Sequence, residues 1–187
     1  AHSLRGALPI LTTIGGTGTV TNAGTLANVI NAGAFTNQSG GVAGSVTNQA
    51  AGTFINLGGA AAGAVTNAGA GSNGGTIASL SNIGGTFGNA GTVTGNVVQS
   101  AGAVTNIGTV GGALTVSGGL FDQNAGGSVA GPTTIGAAGT VTNAGTLANV
   151  INGGAFTNES AGNAGSVNNL ATGTFNNNAG GTTGAVA

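Results

Sequence analysis

Residues 19–31 read TVTNAGTLANVIN, and the same run returns unchanged at 140–152. Glycine punctuates it into a five-residue unit, Gly-[Thr/Ser/Ala]-[Val/Phe/Leu]-x-Asn, found at 18–22 and 24–28. The unit recurs at 33–37, 44–48, 52–56, 63–67, 85–89 and 102–106, then at 139–143, 145–149, 154–158, 165–169 and 173–177. Apolar and polar residues alternate within each unit, which predicts a short strand bounded by turns. Gly, Thr, Val and Asn are poor helix formers, and no 3.6-residue apolar stripe runs through the chain. Helix is excluded.

Every second unit returns after about 19 residues, the period of a coil rather than of a hairpin. Leu26, Val46 and Val65 form one expected column, continued by Phe87, Val104, Phe121 and Val141. Phe35 and Phe54 form another, continued by Ile77, Val93, Val110, Val129 and Leu147. A third runs through Leu80, Val98, Val116, Ile135 and Ile151. Three apolar columns mean three strands per turn. The fold class expected is all-β, a right-handed parallel β-solenoid (β-helix) with about 19 residues and three short strands per coil. About nine coils at the interstrand spacing give a rod roughly 45 Å long. Residues 1–16 are a lead-in or cap, or a remnant of expression engineering, and 17–187 form one solenoid domain cut from a longer repetitive protein.

In each unit the Asn follows the apolar residue by two, so both point inward on a strand. Stacked asparagines are then expected to form hydrogen-bonded ladders: Asn28, Asn48 and Asn67; Asn37 and Asn56; Asn149 and Asn169; Asn158 and Asn177. The flanking threonines, Thr19, Thr21, Thr140 and Thr142, point outward and are the candidate binding rows. Central coils depart from the pattern, with Gly95, Gly112 and Gly131 where the second column should carry Asn. Pro132, which cannot donate to a sheet, belongs at a corner. Residues 68–75 are expected to protrude as a loop, because the interval from Phe54 to Ile77 is stretched.

Composition removes most chemistry. The chain has 187 residues, 42 of them Gly, with one Lys or Arg, two Asp or Glu, one His and no Cys. A lone Arg5 cannot form a nucleic-acid-binding surface. His2, Asp122 and Glu159 are too few for an expected metal site, and no cofactor is expected. The segment GAGSNG at 69–74 spells GxGxxG, but no helix follows and no acidic residue lies at the required distance. Asn37-Gln38-Ser39 and Asn158-Glu159-Ser160 spell glycosylation sequons, yet both asparagines belong to the inward ladder. Asp122 and Glu159 are read as solvated coil edges rather than an acid–base pair. Phe35, Phe54, Phe156 and Phe175 are read as an internal stack. No apolar run approaches the length of a membrane helix, so this segment is not expected to insert.

The Asn-x-Gly-Thr-[Val/Leu] junctions at 22–26, 89–93 and 143–147, with the 19-residue period, resemble the large exported adhesins of Gram-negative bacteria. The likeness is to filamentous-haemagglutinin-like proteins and autotransporter passengers, and covers residue 15 to the C-terminus. It implies a right-handed β-helix at the cell surface or secreted beyond the outer membrane, acting in adhesion, self-association, biofilm formation or virulence. The implied partners are a host or surface receptor, a glycan or a second copy, with a homo-oligomer among the outcomes and nucleic acid excluded. Two other classes share the chemistry. An ice-binding solenoid would carry Thr-x-Thr on successive coils of one face. An amyloid-type matrix fibril would exploit low charge and strand-rich units.

Overall fold

The structure, a computed structural model, describes the backbone of residues 2–4, 7–8 and 11–187 and the side chains of 11–187. Arg5 lies outside the described residues, and His2 is described by its backbone alone. Every strand pairing is parallel. The chain winds through about ten turns of a β-solenoid whose coils repeat at intervals of 15 to 20 residues. At the interstrand spacing that is a rod of about 48 Å. The interval varies because corners gain or lose residues while the strands keep register.

Each coil has three strands. The first sheet stacks Thr19–Asn22, Ala34–Asn37, Thr53–Asn56, Ala70–Asn73 and Thr86–Asn89 in register. The second stacks two-residue strands such as Thr92–Val93 and Thr146–Leu147, and the third stacks segments ending in Asn31, Asn48, Asn67 and Asn82. The stretch 1–16 already carries strands that stack. His2–Leu4 pairs with the first sheet, Ala7–Leu8 with the second and Thr12–Ile14 with the third.

Inward positions form three apolar columns, as the alternation demands, but their membership differs from the sequence expectation. The first sheet contributes Val20, Phe35, Phe54, Gly71, Phe87, Val104, Phe121, Val141, Phe156 and Phe175. Leu26 stacks on Ala43 and Ala62, then on Ile77, whereas Val46 and Val65 stack on Val29. Val98 and Ile151 are not in the third column. They point outward, 41% and 40% exposed, and Val97 and Val150 take the inward places. Period 2 explains the error: one residue of slip moves a side chain to the opposite face.

The aromatic column is a partial stack. Phe35 lies over Phe54 with centroids 5.6 Å apart and planes 18° apart, and Phe156 over Phe175 at 5.2 Å and 16°. Between Phe54 and Phe87 the column drops to Gly71, where a Cβ would sit 2.4 Å from the Phe87 ring. Residues 68–75 are therefore no loop. Ala70–Asn73 is a regular strand in register with both neighbours, and its glycine yields its volume to the next ring. The GxGxxG spelling falls across this strand and cradles nothing.

Gly95, Gly112 and Gly131 occupy the corner between the second and third sheets. A Cβ on Gly112 would meet the backbone of Gly95 at 2.6 Å, and one on Gly131 the backbone of Gly112 at 2.6 Å. Pro132 sits at the same corner, as expected. Elsewhere that position donates a backbone N–H to an Asn of the preceding coil: Ser45 to Asn28, Ala113 to Asn96 and Ser166 to Asn149, at 2.9–3.1 Å. The coil before Pro132 has Ala113 there, which carries no acceptor. Proline forfeits no bond.

Candidate functional surface

The inward asparagines form two one-directional ladders. In the first sheet, Asn22 Nδ2 donates to Asn37 Oδ1 at 2.8 Å, and the relay continues through Asn56, Asn73, Asn89 and Asn106 to Gln123. In the third sheet it runs Asn31, Asn48, Asn67, Asn82 at 2.7–2.8 Å. Each amide also donates to corner carbonyls, as Asn48 does to Gly52 and Ala70. Burial in a low dielectric makes such paired amides rigid and unpaired ones costly. Asn28 and Asn149 are not members, contrary to the sequence expectation. Both lie exposed, Asn149 just after the two-residue strand Thr146–Leu147 and Asn28 within Thr25–Asn31 where the alternation of burial breaks, and Asn31 and Asn152 hold the ladder places. Asn37 and Asn158 are fully buried, so neither sequon is accessible in the folded chain.

What the interior locks away, the exterior leaves plain. Residues 6–121 contain no Lys, Arg, His, Asp or Glu. Thr19, Thr21, Thr140 and Thr142 sit on outward positions of the first sheet, with Thr21 stacked on Thr36 and Thr142 on Thr157. Alanines Ala34, Ala70 and Ala155 interrupt the neighbouring row, so paired hydroxyls do not continue from coil to coil. The longest outward polar run lies on the second sheet: Thr76, Thr92, Thr109, Ser128, Thr146, Asn163 and Thr182 follow one another in register. Sequence reading missed this row because, from Thr92 on, its strands are only two residues long.

Along the edge of the first sheet runs a groove of about 370 Å³. Ile55 and Leu57 wall one end, Thr105 and Ile107 the other, and Ser72, Gly74, Gly88 and Ala90 make the floor. It arises because two successive coils carry small residues where the coils above and below carry branched ones. Leu57 and Ile107 are 43% and 51% exposed, so the groove presents apolar walls to solvent.

Asp122 and Glu159 are not brought together. Asp122 lies on the outward face of the first sheet, where Thr142 Oγ1 donates to Asp122 Oδ1, and Glu159 begins a turn two coils further on. Among the described residues no group of three or more His, Cys, Asp or Glu could hold a metal ion. Among the described residues no helix is long and apolar enough to cross a membrane.

Fold and surface together define a parallel β-solenoid with a packed interior and a sparsely charged, hydroxyl-bearing exterior. No family model matches the chain, and no curated relative matches it. Among solved structures it is similar to the TibC-catalyzed hyper-glycosylated TibA fragment, at 17% identity over 99% of this chain and 96% of that one. The TM-score is 0.32, a likeness too loose to bear on function.

Proposed function

We propose that the chain is a non-enzymatic stalk segment of a bacterial cell-surface or secreted adhesin. Its work is to hold a rigid, uncharged face against a neutral partner, either a glycan or a second copy of itself. The observation that carries this reading is the charge-free exterior of residues 6–121 on a fully stacked core. Such a surface strips no ions of water on contact, and many weak hydroxyl contacts along a rod add through multivalency. In the groove between Leu57 and Ile107, apolar walls meet the hydroxyls of Ser72 and Thr105. A pyranose ring, apolar on its faces and polar on its rim, matches that lining.

Cells displaying residues 1–187 are expected to clump or to adhere to immobilised neutral glycan to the same extent at low and high salt. Adhesion that vanishes with added salt would instead mark an ionic contact and reject the reading. The outward row from Thr76 to Thr182 supports the ice-binding alternative. Thermal hysteresis with faceted crystals, absent after Thr92→Val and Thr109→Val, would favour it over adhesion.

A further inference from the structure

We infer that the rod consists of two hydrogen-bonded blocks that meet between residues 120–135 and residues 140–152. Three features fall on that junction. First, neither ladder crosses it. Gln123 Nε2 turns aside to the Thr146 carbonyl at 3.4 Å instead of reaching Asn143, and Ile135 stands where an Asn would face Asn152. Between residues 19 and 177, every other pair of neighbouring coils keeps at least one amide–amide bond.

Second, four asparagines that begin ladders are built differently from those that continue them. Asn22, Asn31, Asn143 and Asn152 each accept a hydrogen bond from the backbone N–H two residues on, at 3.1–3.2 Å. Their carbonyls are satisfied within their own coil and need no donor from the coil before. Continuing members such as Asn37, Asn48 and Asn158 instead receive the preceding amide. The coil at 140–152 is thus made as a first coil. Third, its sequence is that of 19–31, the coil that opens the earlier ladders.

Parallel backbone pairing remains continuous across the junction, and Asp122 with Thr142 ties the two sides on the outer face. What changes is the cooperative interior. Stacked repeats fold as a chain of nearest-neighbour couplings, so a junction with a weaker coupling divides the rod into units that open separately. Each block can then nucleate on its own capped coil, and under load the later block can open without unzipping the earlier one.

Amide hydrogen exchange on the whole chain tests this. Protection is expected to step between residues 124 and 139, with residues 140–177 exchanging as one group about tenfold faster than residues 20–82. Gln123→Asn, which lets the first ladder reach Asn143, is expected to shrink the step. Gln99→Asn, which mends a gap inside the earlier block, is expected to leave it in place. Protection that declines smoothly toward the C-terminal coil, with no step, would overturn the inference. So would a step that Gln123→Asn leaves untouched.

Discussion

At the corner after the third sheet, residues 46–48 and residues 114–116 meet the same demand and answer it differently. The strand Val42–Asn48 stops at its asparagine, whose amide reaches the Gly52 and Ala70 carbonyls and so fastens the corner from inside. Val116 offers no such bond, and its strand runs on around the corner as Leu114–Gln123. Ile135 does the same in Thr133–Asn143. The bend is then taken by glycine. Gly119 adopts φ +75°, and a Cβ on Gly118 would come 2.5 Å from the Ser100 carbonyl. At this corner the strand thus ends at the amide of Asn48 and runs on past the apolar Val116 and Ile135.

Breaking the asparagine corner should have the largest effect. Asn48 is 1% exposed, accepts from Asn31 and donates to Asn67. Asn48→Leu would leave one N–H of the Asn31 amide and the Asn67 side-chain carbonyl unpaired, at about 2–6 kcal/mol in all from about 1–3 per orphaned group. Thermal or denaturant unfolding should show it, and a loss under 1 kcal/mol would contradict the ladder's role. Next comes Gly71→Ala. The added methyl would overlap the Phe87 ring, with an expected cost of about 1–3 kcal/mol, typical of overpacking.

Those two positions show where the sequence speaks and where it is silent. Asn48, Asn67, Asn37, Asn56 and Asn158 are legible because each follows an inward apolar residue by two on a strand long enough to keep both inside. Asn28 and Asn149 share the spelling. The strand before Asn149 is only two residues long, and within Thr25–Asn31 the alternation of burial breaks between Leu26 and Val29, so both asparagines face out. Ala43 and Ala62 fill a buried column yet carry too little hydrophobic signal to mark it. Gly71 has no side chain with which to announce its place in the aromatic column. The groove was illegible for a different reason. Its walls come from coils three turns apart, and its existence depends on the small residues between them.

Gln99 sharpens the comparison from the other side, because it is a failed version of the asparagine corner. Its side chain is fully buried, its amide donates to the Ala101 and Gly102 carbonyls, and its Oε1 has no partner. The extra methylene carries the carbonyl past the Asn82 amide, which bonds Ala101 instead. Gln99→Asn should bring that carbonyl back into line and stabilise the chain by about 1 kcal/mol, one net hydrogen bond. A destabilised variant would show that the longer side chain fills space the ladder does not need.

The smallest effect belongs to the residue beside the strongest one. Thr47 precedes Asn48 on the same strand, but the pleat turns it to solvent, where it stacks between Ile30 and Thr66 on the outer face. Thr47→Ser keeps the hydroxyl and removes one exposed methyl, so only some strand preference is lost, within about 0.5 kcal/mol. The two neighbours thus differ only in the direction the backbone points them. Measured in the same unfolding experiment, their ratio reports that direction. Equal costs at 47 and 48 would mean that the inner and outer faces of this strand are not distinct, and the corner argument would fail with them.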